Sequence, residues 1–183
     1  MAQSASHSKR WLPGALLLLT AAILSGGCDK GLAPIYEETG FEGTIHYTNW
    51  VPADQIWELR LLVFENIPSD SSSLVQLLIA SVSNPGSVVL YPALGTPGLP
   101  KLVDATSYKL TTSGSTLLVK RYNYIVLAWR YGPNSFADWR PAGVYSFDPN
   151  SFVPAPVTVR NRRLLEDIDI FVDFTKLPPK PWH

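Results

Sequence analysis

Sixteen prolines punctuate this 183-residue chain, and they fall mostly between its apolar runs. Proline lacks an N–H donor and fixes φ, which keeps it out of helix interiors and central strands. Between the prolines lie short segments of strand character bounded by Gly, Ser and Asn, with no sustained helical period. A chain divided in this way is directed to an all-β fold.

The segments can be read in order. Residues 44–47 follow two closely spaced glycines, Gly40 and Gly43. In residues 57–64, Leu59, Leu61 and Val63 share one face. Residues 74–82 are apolar enough for a strand or a short helix, and periodicity does not separate the two. Short runs follow at 87–91, 108–111 and 117–119. Residues 122–129 have no polar side chain between Tyr124 and Trp129, as expected of a central strand covered on both faces. Pro154 and Pro156 mark 156–159 as an edge strand. Last, Ile168, Ile170, Val172 and Phe174 alternate with Asp167, Asp169, Phe171 and Asp173, so one face is expected in the core and the other in water. The expectation is a single antiparallel β-sandwich of seven or eight strands over residues 39–176, followed by a polyproline-like tail at 177–183. A unit of this size buries roughly two-thirds of its unfolded surface and needs neither disulfide nor metal to stand.

The N-terminus has a different character. Lys9 and Arg10 precede a 14-residue apolar run, 11–24, which suits a signal-peptide core and falls short of the ~20 residues of a membrane-spanning helix. Small residues follow, and then Cys28, the only cysteine. Leu24-Ser25-Gly26-Gly27-Cys28 resembles the lipobox of bacterial lipoproteins. That resemblance implies cleavage of residues 1–27, lipid on Cys28, a tether over 28–38, and an exported protein held on a membrane of the bacterial cell envelope. Two or three acyl chains, at ~0.8 kcal/mol per buried methylene, anchor a protein stably.

The order of the strand segments resembles the prealbumin-like sandwich, the carboxypeptidase-regulatory or transthyretin-like module of exported bacterial proteins, within the wider prealbumin/Ig-like class. Gly40-Phe41-Glu42-Gly43-Thr44-Ile45 is similar to its opening strand and Leu59-Arg60-Leu61-Leu62-Val63-Phe64 to its second. Tyr122-Asn123-Tyr124-Ile125-Val126-Leu127-Ala128 is similar to its core strand. Val157-Thr158-Val159 with Asp167-Ile168-Asp169-Ile170 resembles its closing pair. The resemblance implies an accessory domain that folds, spaces or binds, and it carries over no active-site residues.

The charges balance at 15 basic and 15 acidic side chains, and the one compact cationic group of the globular part is Arg160, Arg162 and Arg163. Nucleic acid is therefore not the expected partner, since duplex binding needs a clustered cationic surface. One cysteine excludes an internal disulfide and a Cys-based zinc site. Nucleophilic catalysis is not expected either. Beyond the leader, the histidines are His46 and His183, and no Gly-x-Ser-x-Gly occurs. Glu166, Asp167, Asp169 and Asp173 could serve hydrolysis or bind calcium. The favoured reading is a solvated strand face, because calcium takes six or more oxygens that loops supply better.

The most distinctive stretch is residues 129–145, with five aromatics and two arginines in 17 residues around a Gly-Pro-Asn turn. Read as a long loop between strands, it either packs its rings over one end of the sandwich or presents Tyr131, Phe136, Asp138, Trp139 and Arg140 to a partner or a glycan. The expected function is a non-enzymatic envelope lipoprotein, without catalytic residues, metal or cofactor, acting as a structural or protein-interaction module. The alternative is a glycan- or small-ligand-binding lipoprotein that uses the aromatic segment.

Overall fold

The computed structural model describes residues 37–69, 86–135 and 137–181. The leader, Cys28, residues 74–82, Phe136 and His183 lie outside the described residues. All ten described strands belong to one unit beginning at Glu37. They are β1 (Gly40–Thr48), β2 (Glu58–Phe64), β3 (Val88–Tyr91), β4 (Ala105–Thr111), β5 (Arg121–Tyr122), β6 (Tyr124–Arg130), β7 (Trp139–Val144), β8 (Val157–Thr158), β9 (Leu164–Leu165) and β10 (Ile170–Asp173). One 3₁₀ turn, Ala53–Gln55, lies between β1 and β2.

The chain is all-β and builds a sandwich. One sheet runs β10-β1-β4, with β9 also on β1; the facing sheet runs β3-β2-β6-β7; β5 and β8 form a separate ribbon. The inner faces follow from alternation. Phe41, Ile45 and Tyr47 of β1 meet Leu59, Leu61 and Val63 of β2 and Ile125, Leu127 and Trp129 of β6 in one buried cluster. Full burial of each such side chain contributes roughly 1.5–3 kcal/mol. Rings cross between the sheets where Trp129 meets Phe174 edge-on at 5.3 Å and Tyr91 meets Tyr108 at 6.4 Å.

The second sheet is apolar on its outer face too. Leu62, Phe64, Tyr124, Val126, Ala128 and Val144 are buried there, as the uninterrupted run in β6 requires. Central placement of β6, between β2 and β7, agrees with that reading. Asn123 interrupts the run before it: its N–H donates to the Phe64 carbonyl and its side-chain amide to that of Glu65, separating β5 from β6.

Three expectations need correction. The first sheet is mixed, because β9 and β10 both run parallel to β1 (Gly40↔Leu164, Ile45↔Ile170). The cause is the entry point of the chain. The turn after β8 comes in beside the start of β1, where the Gly40 N–H donates to the Arg163 carbonyl at 3.1 Å. β4 already occupies the other edge of β1, so the chain continues along β1 in the same direction.

The second correction concerns residues 129–145, which are a hairpin rather than a long loop. Trp139–Val144 is β7, paired antiparallel to β6 (Val126↔Val144, Arg130↔Trp139). Pro141 masks the strand pattern and is tolerated because β7 is an edge strand. A register shift opposite Leu127 and Ala128 inserts one residue, and Gly143 there leaves room for Ile170 and Val172 of the facing sheet.

The third concerns residues 117–119, which form no strand; Leu117 is buried, while Leu118 and Val119 are exposed.

The closing segment is interrupted. Between β9 and β10, residues 166–169 leave the regular ladder, with Asp167 at φ 60°. The buried alternation survives as Ile168, Ile170, Val172 and Phe174. The Ile168 N–H reaches the Glu42 carbonyl at 3.1 Å, and the buried Tyr108 hydroxyl donates to the Ile168 carbonyl. This crossing depends on Gly43, where a Cβ would lie 2.3 Å from the Ile168 oxygen. Gly43→Ala should therefore cost about 1–3 kcal/mol through forced backbone movement. Gly114→Ala, whose nearest neighbour is the Thr111 hydroxyl at 3.1 Å, should cost less. Urea denaturation midpoints of the two variants test the difference.

Candidate functional site

The β6–β7 hairpin holds the aromatic segment, and its loop is closed by its own polar groups. The Tyr131 N–H donates to the Asp138 carbonyl at 3.0 Å, and the Asp138 N–H to the Asn134 carbonyl at 3.1 Å. The Asp138 carboxylate accepts the Asn134 N–H at 2.8 Å, and the Asn134 side chain accepts the Ala137 N–H at 3.0 Å. Gly132 lets the Asp138 carboxylate sit close to the turn, where a Cβ would come within 2.3 Å of it and displace that side chain. Asp138 thus acts first as an acceptor inside its own loop, as Asp and Asn do in tight turns.

The rings divide by position. Trp129 is buried and its indole N–H donates to the Gln55 carbonyl at 2.9 Å. Tyr131 is 39% exposed and meets Trp129 edge-on at 6.0 Å. Trp139 is half-buried, its indole N–H donating to the Ser135 carbonyl at 2.8 Å. Trp139 and Arg140 border a small apolar crevice with Phe64, Tyr124 and Val126. The Arg140 Nε is buried without a hydrogen-bond partner.

A constellation not expected from the sequence adjoins Trp139. The Arg130 guanidinium lies 5.8 Å from the Trp57 ring centre and 5.9 Å from that of Trp139, within cation–π range of both. Its terminal nitrogen is 3.3 Å from one oxygen of Glu58, while the other oxygen takes the Arg60 Nε. Arg130 therefore pairs with Glu58. Arg60 is 5% exposed and also donates to the carbonyls of Pro92, Ala93 (2.9 Å) and Thr96 (2.7 Å). One carboxylate thus couples a buried guanidinium, which holds the 92–96 loop, to a second, mostly covered guanidinium (side chain 19% exposed) beside Trp57, which is 49% exposed. The available sequence signal was an arginine flanked by Leu59 and Leu61 in an otherwise apolar strand. A cation at such a position must find acceptors.

The acidic residues are placed separately. An open cleft of about 500 Å³ is lined by Glu42, Lys109, Asp167 and Asp169 with Tyr91 and Tyr108. Asp169 accepts the Thr44 N–H at 2.7 Å and lies 4.0 Å from His46, whose ring stacks on Phe171 at 4.9 Å. Lys109 pairs with Glu38 and, at 3.5 Å, with Glu42; the hydrogen bond it donates to Glu38 is the main cause that raises its pKa. Burial pushes the pKa of the Tyr108 hydroxyl, which donates to the Ile168 carbonyl, far above its ordinary value. Among the described residues no three His, Cys, Asp or Glu side chains form a metal-ligand group.

Asp173 is set apart at the end of β10. Its carboxylate accepts the Thr175 hydroxyl at 2.6 Å, the Asn49 amide at 2.9 Å and the Thr175 N–H at 2.9 Å. These bonds, with that of the Thr175 side chain the largest, lower its pKa to about 2.

Compared with protein-family models, curated proteins and solved structures, the chain matches none. The geometry alone informs the functional reading.

The Asp173 turn makes a signed prediction. A carboxyl whose folded pKa lies below its ordinary value adds stability that is complete above about pH 4. That contribution is lost as pH falls towards its folded value of about 2. The stability gap between the unaltered chain and Asp173→Asn should hold from pH 7 to pH 5 and narrow towards pH 2. Chemical denaturation across that range checks it.

Proposed function

We propose that this chain is an exported, lipid-anchored envelope protein whose prealbumin-like sandwich works by binding another protein rather than by catalysis. The observation that carries the reading is the Trp57–Arg130–Trp139 cluster. Tryptophan and arginine are the residue types most enriched where alanine substitution costs an interface most of its affinity. Here a partly exposed indole and a guanidinium are held in place before any partner arrives, by Glu58 and by the ladder bond from the Trp57 N–H to the Arg130 carbonyl at 2.9 Å. Such preorganisation lowers the ordering cost of association. Tyr131 lies on the same hairpin and adds a second exposed ring.

The prealbumin-like assignment is supported by where its carrying residues fall. The opening segment is β1, the second is β2 and the core segment spans β5 and β6; the expected closing pair is not a pair, since β8 lies on β5 and β10, which begins at Ile170, lies on β1. They occupy the two principal facing sheets, with the small β5–β8 ribbon at their side. Anchoring rests on the lipobox-like sequence before Cys28. Among the described residues no helix is long and apolar enough to cross a membrane.

Two outcomes are expected. Cys28→Ser should shift the protein from the membrane fraction to the soluble fraction, read by immunoblot after fractionation. In mild-detergent purification from its own envelope, the unaltered protein should retain a stoichiometric protein partner. Trp57→Ala should reduce that recovery at least tenfold with the thermal midpoint little changed, because Trp57 is half exposed. Equal recovery by both would remove the cluster from the interface.

A further inference from the structure

The two ends of the sandwich carry different surfaces. At one end β1 begins, β2 and β4 finish, β3 and β6 start, and β7 finishes, as the registers Gly40↔Thr111, Phe64↔Val88, Phe64↔Tyr124 and Val126↔Val144 require. Tyr145, Arg160, Arg163 and Leu165 border one shallow depression there, which joins the ends of both sheets. The chain also enters the domain at this end. The Thr112 N–H donates to the Thr39 carbonyl at 2.9 Å, and the Arg162 N–H to the Thr39 hydroxyl at 2.8 Å.

Apolar and cationic side chains are prominent among the exposed residues of this end. Phe147 is 79% exposed and Val153 71%, with Phe152, Leu118 and Val119 also exposed on adjoining loops. Scattered apolar residues on a surface are ordinary, but several on neighbouring loop tips call for a partner. Arg160, Arg162 and Arg163 are all exposed and have no ion-pair partner among the described residues. Arg121 bonds Asn123 only. Of the nearby carboxylates, Glu65 is paired with Lys120 and Glu38 with Lys109; Glu37, Asp148, Glu166 and Asp167 are exposed, the last two just past Arg163 in the chain.

We infer that this end is a bilayer-contacting surface: Phe147, Phe152 and Val153 enter the interfacial zone while Arg160, Arg162 and Arg163 meet anionic headgroups. The inference rests on the lipid-anchor reading for its occupant. Ten residues lie between Cys28 and Thr39, a reach of at most ~40 Å, so an anchor on Cys28 keeps this end within that distance of the membrane. Phe147 meets Tyr145 edge-on at 6.1 Å, and Tyr145 borders the same depression as Arg160 and Arg163. Apolar tips near arginines suit that location, since aromatic and aliphatic side chains partition to the boundary and basic side chains are drawn to anionic lipid. The Trp57–Arg130 cluster, at the opposite end of β2 and β6, would then face away from the bilayer.

The test uses the full-length protein, purified from membranes and reconstituted into vesicles of phosphatidylethanolamine and phosphatidylglycerol. With Cys28 blocked by lipid, Phe147→Cys supplies one labelling site for an environment-sensitive dye, and Leu94→Cys supplies another on an exposed loop at the far end. Nitroxide-bearing lipid is expected to quench the dye at 147 at least threefold more than the dye at 94. Combined Arg160→Gln, Arg162→Gln and Arg163→Gln should reduce that difference by half or more. Equal quenching at both positions overturns the proposal, as does protection of position 147 that requires an added envelope protein instead of lipid. The anchor reading fails separately, if the denatured unaltered protein reacts with maleimide at Cys28. In that case the unaltered protein and Phe147→Ser are floated with preformed vesicles of the same composition. Flotation lost on substitution upholds the surface, and no flotation of either overturns it.

Discussion

A missing side chain governs how the sandwich closes. At Gly43 the backbone of residue 168 comes so near to β1 that a methyl group would overlap it. That approach lets the Tyr108 hydroxyl reach the Ile168 carbonyl from β4 on the far side of β1. Opening strand, fourth strand and closing segment are thereby joined at one point. Sheet pairing alone would not achieve this, because β9 offers two residues and β10 four. The short parallel pieces hold their place because the interruption between them is itself bonded, by Ile168 to Glu42 and by Asp169 to Thr44.

The facing sheet is organised around a charge. Arg60 lies within an apolar strand and is nearly inaccessible, a position that costs several kcal/mol unless the guanidinium is neutralised and its donors filled. Glu58 supplies the counter-charge, and the turn after β3 supplies backbone carbonyls. The turn is thus folded around the arginine, and the second oxygen of Glu58 passes the constraint on to Arg130. A surface feature next to two indoles is positioned by a buried one.

Much of the architecture could be read before any coordinates, and the failures have physical causes. Alternation in Ile168, Ile170, Val172 and Phe174 identified the buried face, because a period of two leaves one side to the core whatever interrupts the ladder. The unbroken run after Tyr124 identified a strand covered on both faces for the same kind of reason. β7 was hidden because Trp-Arg-Pro-Ala-Gly-Val has neither alternation nor β-branched enrichment before its last residue, and a proline argues against a strand unless the edge position is known. Direction was hidden as well. Whether β10 runs with β1 or against it depends on where the chain re-enters, which no local pattern records. Of the candidate site, the hairpin rings were legible and their partners were not. Asp138 serves its own turn, and Arg130 finds Glu58, 72 positions earlier in the chain.

The parallel pairing of first and last strands bears on the timing of synthesis. Ile45 finds its neighbour only when Ile170 is available, 125 residues later. Contacts of such separation form late and slowly, because a long loop must close before they give any return. Until β9 and β10 emerge, β1 has β4 on one edge and neither of these strands on the other. A nascent chain in that condition is open along its first sheet and can still be drawn out through a narrow channel. The same arrangement that completes the sandwich postpones its completion until the segment that follows β1 by about 120 residues has been made.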